Sequence, residues 1–308
     1  MNCTEERDFH LSAFSLPFEF SLVLFFGILL MYLVAVSGNL VIIGLVYTIS
    51  QLHTPMYYFL CNLSVQDIVY VSATLPKFLS VTISGDTRIL FTECITQMFF
   101  FTFCVGTEFF LLTFMAYDRY VAICVPLRYT AIMNPNLCFV LCSIAWFVGF
   151  CNSFAHALLV SNLFFCNFQE ISHFYCDLKT MIELSSSDVT NIETMVSIEC
   201  LFLGVIPFLL TLASYICIIV TILKIQSSAG RLKAFSSCSS HLTILVLFYV
   251  PSLSSYLIPR SKQSEEQNKT LSLLYTALVP TLNPLVYSLR NKQVWKAVDL
   301  LVERYRKC

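Results

Sequence analysis

Polar and apolar residues change places along this chain over stretches much longer than the turn of a soluble helix. Apolar runs parted by short polar or Pro-bearing breaks predict helices at about Phe20 to Tyr47, Tyr57 to Ile83, Phe91 to Ile123 and Leu137 to Phe165. Three more are predicted at about Ile192 to Ile225, Phe235 to Ile258 and Leu271 to Leu289. A helix needs about 20 largely apolar residues to cross the hydrocarbon of a bilayer, so the pattern fits seven crossings joined by short loops. Beyond them, Val294, Trp295, Val298, Leu301 and Val302 recur at helical spacing among Lys and Arg. That spacing predicts a short amphipathic helix in the membrane interface over Asn291 to Arg304. The expected fold is an all-α, seven-helix membrane bundle forming one domain over 1–308, with a leading segment 1–19, spans and loops over 20–290 and a tail over 291–308. No internal repeat is evident.

Composition sharpens this picture. The chain is 57% hydrophobic and 12% charged, with 28 Phe, which requires apolar residues to face lipid. Glu5, Glu6, Arg7, Asp8 and Glu19 occupy the region where a cleavable signal would have a basic start and an apolar stretch, so the first span is expected to direct its own insertion. Loop charge then sets a direction. One side carries eleven basic residues, among them Arg119, Arg128, Lys224, Arg231, Lys233 and Arg290, against three acidic ones. The other side carries seven basic against thirteen acidic residues. Cytoplasmic loops collect Lys and Arg, so the tail is expected inside and the N-terminus outside. Asn2-Cys3-Thr4 is then exposed to glycosylation at Asn2, whereas Asn268-Lys269-Thr270 lies too close to a span to expect its use. Most of the 14 cysteines, such as Cys61, Cys104, Cys142 and Cys217, sit in apolar runs as small hydrophobes. Only Cys3, Cys94, Cys166 and Cys176 fall in outer segments.

Asp118-Arg119-Tyr120 ends the third span. In its context, Met115-Ala116-Tyr117-Asp118-Arg119-Tyr120-Val121-Ala122-Ile123-Cys124 followed by Pro126-Leu127-Arg128-Tyr129, the chain resembles the odorant receptors, a family of seven-helix G-protein-coupled receptors. The resemblance extends from Gly38-Asn39, through Leu52-His53-Thr54-Pro55-Met56-Tyr57-Tyr58-Phe59-Leu60, to Ser214-Tyr215. It continues in Lys233-Ala234-Phe235-Ser236-Ser237-Cys238-Ser239-Ser240-His241-Leu242 and in Leu282-Asn283-Pro284-Leu285-Val286-Tyr287-Ser288-Leu289-Arg290-Asn291. It implies a small volatile or hydrophobic ligand, a heterotrimeric G protein of the stimulatory olfactory type that raises cAMP, residence in the plasma membrane of olfactory cilia, and contact with lipid but not nucleic acid. It also implies a disulfide from Cys94 to Cys176. The family's usual second bridge lacks its later cysteine here, where Ser185-Ser186 stand, so Cys166 either pairs with Cys3 or stays free.

The residues themselves suggest a switch. Arg119 can be held by its neighbour Asp118 and then swing toward Tyr215 and Tyr287 when the inner helix ends separate. Pro284 removes a backbone hydrogen bond, so the last span can bend around Asn283. Each motif alone is also compatible with an interfacial Arg or an ordinary Pro kink.

Two carboxylates lie within the spans. Glu108 precedes Arg119 by eleven residues, about 16 Å along a helix and so near mid-bilayer, with Asp67 at comparable depth in span 2. They can share a proton or hold a cation; sodium is what the resemblance implies beside the residue matching Asp67. A single protonated acid hydrogen-bonded to Asn39 or Ser64 serves equally well. No other cofactor is expected. With Arg119 as the inner mark, a ligand pocket is expected from Phe101, Thr102, Val105 and Gly106 on span 3, and from Glu199, Cys200 and Leu203 on span 5. Ser252, Ser255 and Tyr256 on span 6 and Leu273 and Thr276 on span 7 complete it. Each position also fits simple helix packing. Glu199, a carboxylate near the outer third of span 5, can pair with an amine or accept from a hydroxyl, or simply face water at the loop. Phe248-Tyr249-Val250-Pro251 departs from the family, which usually has Gly after the Tyr, and is expected to stiffen span 6.

Other classes fit poorly. Eight Gly form neither Gly-x-Ser-x-Gly nor a phosphate loop, and five His form no His-Glu-x-x-His site, so an enzyme is not expected. Seven spans without a repeat argue against a transporter or channel. A receptor for small molecules outside olfaction is the remaining alternative, while an opsin would need a Lys between Leu271 and Leu289.

Overall fold

The computed structural model describes residues 8–14, 17–165, 170–257 and 262–289, with backbone alone for Ser237, 253–257, 262–266, Asn268 and 288–289. Asn2, Cys3, Cys166 and the expected tail helix fall outside the described residues, as do the side chains of Ser255 and Tyr256.

Seven long helices stand among the described residues: α1 (Phe18–Thr48), α2 (Pro55–Ser84), α3 (Phe91–Cys124), α4 (Pro135–Ser161), α5 (Thr190–Lys224), α6 (Ser228–Leu257) and α7 (262–289). Local chemistry sets several of their limits. Pro55 and Pro135 open α2 and α4 at positions that need no intrahelical donor. The Asn134 side-chain oxygen Oδ1 caps α4 by accepting from the Leu137 amide at 2.9 Å. Gly85 ends α2 at φ +71°, a conformation that favours glycine.

Helices overrun the apolar runs at several ends. α6 starts at Ser228 and α7 at Lys262, both well before the hydrophobic stretch, because a helix satisfies its own backbone whether its side chains are apolar or not. α4, in contrast, stops at Ser161. Asn162 donates to the Leu158 carbonyl at 2.7 Å, and Leu163 and Phe165 leave the helix to pack on the loop layer.

Apolar character varies with position in the bundle. α1, α3, α4 and α5 contain stretches apolar enough to cross a bilayer on composition alone, and α6 joins them if its arms Ser228–Ser236 and Cys238–Ser252, bent by 44°, count as one span. α1 is apolar all round and buries only Ile28, Ala35, Asn39 and Ile42. α2 turns Ser64, Gln66, Asp67 and Thr74 inward, so its polar residues serve the interior and cost it hydropathy.

One end of the bundle carries a feature that hydrophobic pattern does not announce. Asp8–Leu11 (β1) pairs antiparallel with Arg88–Leu90 (β2) and parallel with Glu170–Ile171 (β3), giving a three-stranded sheet in the order β2-β1-β3. We refer to this as the sheet end and to the opposite one as the Arg119 end.

Two close helix approaches depend on glycine. A Cβ on Gly38 of α1 would lie 2.8 Å from Pro284 Cγ of α7, and one on Gly149 of α4 would collide with Thr107 of α3 and meet its neighbour's carbonyl, Phe103 O, at 3.0 Å. Trp146 Nε1 ties α4 to α2 by donating to Asn62 Oδ1 at 2.9 Å.

Candidate functional site

The sheet end is closed by the segment His173 to Cys176. Cys176 is bonded to Cys94 at the top of α3. Gln97 fixes the same segment, accepting from the Cys176 amide at 2.9 Å while donating to the Ala73 carbonyl of α2 at 3.0 Å. Phe174 packs on Phe78 at 4.9 Å between ring centroids, and Tyr175 stacks on Phe101 at 4.6 Å and shares a 3.0 Å hydrogen bond with Tyr275 of α7. His173 lies against both rings. Burial, reinforced by the nearby Lys269 charge, pushes the His173 imidazole down to about 3, so it is neutral at ordinary pH.

Beneath this plug the expected pocket residues separate into groups. Phe101 and Val105 belong to an apolar cluster shared by α1, α2, α3 and α7, and Leu273 packs on the same cluster. Thr276 joins them from α7, its hydroxyl 3.5 Å from Tyr70 Oη. Thr102 and Gly106 turn elsewhere. Thr102 Oγ1 donates to Ser153 Oγ of α4 at 3.1 Å, and Gly106 faces Gly149 and Leu203. These two pack helix on helix. Ser252 donates to the Phe248 carbonyl of its own helix at 2.7 Å. Cys200 is half-buried at the head of a π-helical stretch, Cys200–Val205, that interrupts α5 just before Pro207; α7 carries a second such stretch, Leu274–Leu278. π-Turns of this kind re-aim side chains and concentrate at functional positions.

Glu199 is already held. Its Oε2 accepts from His156 Nε2 at 2.5 Å and its Oε1 from Asn152 Nδ2 at 2.9 Å, both from α4. It therefore neither stands free for a ligand amine nor simply faces water, as expected from sequence. His156 and Asn152 were missed because a pairing between α4 and α5 has no local signature; the only clue was a His within an apolar run, where burial demands a partner. Below them Phe109 of α3 meets Phe248 and Tyr249 of α6 at 4.8 and 5.6 Å, and Phe208 of α5 meets Tyr249 at 5.1 Å. Val250 is exposed on the outer surface of α6, so the residue that departs from the family pattern faces away from this cluster.

At mid-depth, Asp67 and Glu108 are both buried but take separate donors. Asn283 Nδ2 donates to Asp67 Oδ2 at 2.8 Å, and Gln66 Nε2 donates to Glu108 Oε2 at 3.1 Å. Neither Asn39 nor Ser64 supplies the bond: the Asn39 amide goes to the carbonyls of Ala35 and Pro280. Asp67 Oδ1, Glu108 Oε1, Gln66 Oε1, Asn39 Oδ1, Asn283 Oδ1 and Ser64 Oγ have no hydrogen-bond partner among the described residues. The region thus has a surplus of buried oxygen acceptors, which suits a shared proton or a hard cation. No group of three or more His, Cys, Asp or Glu positioned for a metal occurs among the described residues.

At the Arg119 end the local ion pair is formed. Arg119 Nη2 and Nε donate to Asp118 Oδ2 at 2.5 and 3.0 Å, and Tyr129 Oη donates to Asp118 Oδ1 at 2.8 Å. Burial and the adjacent Asp118 charge keep the Tyr129 phenol protonated. Tyr120 is half-buried beside Tyr117. Tyr215 of α5 is bonded at 2.9 Å to His241 Nδ1 of α6, and Ser240 donates to the Val286 carbonyl of α7 at 3.2 Å. Tyr287 is buried with its hydroxyl unpartnered among the described residues. Arg119 lies within electrostatic reach of Tyr57, Tyr215, His241 and Tyr287, so α2, α3, α5, α6 and α7 converge on one guanidinium.

The family model described as olfactory receptor matches residues 28–304. The chain is 43% identical to Olfactory receptor 1G1 of Gorilla gorilla gorilla over 301 residues, covering 98% of this chain and 96% of that protein. It is 44% identical over 276 residues to Olfactory receptor 1E5 of Pan troglodytes, covering 90% and 88%. With Olfactory receptor 5AP2 of Mus musculus it shares 43% over 305 residues, covering 99% and 96%.

Proposed function

This chain belongs to the olfactory receptor family, and from that premise we propose how its parts share the work of a G-protein-coupled receptor that binds odorants. It is a multi-pass membrane protein and not an enzyme. The sheet end lies outside and the Arg119 end inside, which the bias of Lys and Arg among the loops supports. The odorant is a small, mostly apolar molecule held beneath the Tyr175 plug, between Phe101 and Val105 of α3, Leu203 of α5, and Leu273 and Thr276 of α7. Ser252 of α6 completes that chamber.

One observation carries the signalling part: Arg119 is tied to Asp118 while Tyr215 is tied to His241 across α5 and α6. Both bonds are exchangeable. When α6 moves outward, Tyr215 is released, Arg119 exchanges Asp118 for Tyr215 and the unpartnered Tyr287, and the vacated groove accepts a G protein of the stimulatory type, raising cAMP. Asn283 and Pro284 transmit the movement, because Asn283 holds Asp67 and Pro284 sits in the notch left by Gly38. Asp67 and Glu108 would hold sodium, or a proton, in the resting receptor with the unpartnered oxygens around them. A bound sodium would supply positive charge between the two carboxylates, favouring the packed arrangement of α2, α3 and α7.

The deciding experiment expresses the chain in cells and follows cAMP during exposure to a panel of small volatiles, with and without the stimulatory G protein. A ligand-dependent cAMP rise that needs the G protein is expected. Current that persists without any G protein, and no cAMP response to any volatile, would replace this reading with a channel. Insensitivity of the response to sodium would remove the ion from it.

A further inference from the structure

Two residues one turn apart on α3 hold the same residue of the plug. Cys94 is bonded to Cys176 through sulfur, and Gln97 Oε1 accepts from the Cys176 amide at 2.9 Å. The two restraints are not redundant. A disulfide limits how far apart its residues sit, but the side-chain torsions on either side of the sulfurs leave the attached peptide plane free to turn. The Cys176 N–H lies in the plane that joins Tyr175 to Cys176, so the hydrogen bond removes that freedom. It thereby sets the direction in which the Tyr175 ring projects.

Gln97 is itself anchored. It is buried, and its Nε2 donates to the Ala73 carbonyl of α2 at 3.0 Å. That carbonyl lies one turn before Pro76, which has no N–H and interrupts the hydrogen-bond ladder of α2 there. With oxygen and nitrogen both engaged, the side-chain amide is held in one orientation. Tyr175 is buried and stacks on Phe101 at 4.6 Å; Phe101 in turn meets Tyr70 at 5.3 Å, and the Tyr70 hydroxyl lies 3.5 Å from that of Thr276. Phe101 and Thr276 belong to the proposed odorant chamber, which makes Tyr175 its roof. We propose that Gln97 is a positioning residue for odorant recognition: it fixes the height of the Tyr175 roof and, through it, the length of ligand that the chamber admits. The proposal rests on the chamber assigned above. A fitted apolar site discriminates a single methylene by about tenfold or more, and a roof that tilts gives this up.

The full chain is tested with two readouts. In the first, cAMP potency is followed along the straight-chain aldehydes from pentanal to dodecanal. Beyond its best length the unaltered chain should lose about tenfold per carbon and Gln97→Met only about twofold, with equal surface expression and equal maximal response. Gln97→Glu keeps an acceptor for the Cys176 amide and should retain the steep fall. In the second, hydrogen exchange is followed over His173 to Cys176 in the purified chain with no odorant present. Gln97→Met should speed exchange there about tenfold with the disulfide intact, and Gln97→Glu should not. Unchanged exchange in Gln97→Met overturns the proposal whatever the chamber binds, as does an equally steep fall with length in that variant. A shallow fall or fast exchange in Gln97→Glu overturns it too. Faster exchange in Gln97→Met, when the unaltered chain answers no volatile, supports the positioning of Tyr175 and counts against the chamber instead.

Discussion

The two ends of this bundle are fastened by different chemistry. At the sheet end the restraints are a disulfide from Cys94 to Cys176, three strands, and buried rings from Phe9 to Tyr175. None of these can be exchanged for an equivalent partner without dismantling the layer. At the Arg119 end the helices share a buried apolar core, and the polar contacts laid over it are single hydrogen bonds, such as Tyr215 to His241 between α5 and α6, and one ion pair within α3. A receptor that must hold a ligand at one end and move helices at the other needs this asymmetry. The low-stability elements are the ones available for conformational change.

The comparison breaks most severely where the sheet end is released. Cys94→Ser should cost roughly 2–5 kcal/mol and strip most receptor from the cell surface; normal surface labelling with unchanged thermal stability would show that aromatic packing alone holds the plug. Arg119→Ala tests the other end. It should leave surface expression intact and remove the cAMP response, and full signalling by this variant would reject the switch.

Smaller effects sharpen the contrast. Gly38→Val drives a side chain into Pro284 and should lower stability by about 1–3 kcal/mol, read as a fall in melting temperature of the purified receptor. His156→Ala removes the donor to Glu199 Oε2 and leaves Asn152 alone on that carboxylate. We expect a shift in odorant potency with surface expression maintained, and an unchanged dose response would confine the pair to packing.

The remaining effect is one of pH. His173 has its folded value pushed down to about 3 from an ordinary 6.5, so between these limits only the unfolded chain takes up the proton. Its contribution to stability is complete above about pH 6.5 and is lost as pH falls toward 3. His173→Gln should flatten the acid side of the stability profile measured by thermal shift, and an unaltered profile would place the acid sensitivity elsewhere.

Much of this was legible before any helix was packed. Hydrophobic runs located each of the seven long helices, and α3 began at Phe91 as the pattern predicts. Asp118 and Arg119 were readable as a pair because they are adjacent. The partners of other sites were not. Asp67 finds Asn283 across 216 residues, and Glu199 finds His156 and Asn152 on another helix. For Thr102 and Gly106 the sequence left pocket and packing open, because helical spacing specifies a face without saying which neighbour that face meets. The π-helical stretches of α5 and α7 shift that face further, and periodicity assumes they are absent.

By itself, the sequence determined that this chain has helices long enough to span a bilayer, that basic residues gather on one side, and that its motifs are those of an olfactory receptor. These properties are local or additive: each residue contributes through its own transfer energy, charge or identity. Tertiary structure alone decided that β1 threads between two distant loops, that Glu199 is bound before any ligand arrives, and that Gly38 makes room for Pro284. Hydrogen bonds and steric contacts of that kind act over a few ångströms between residues far apart in the chain, so only packing can bring them into being.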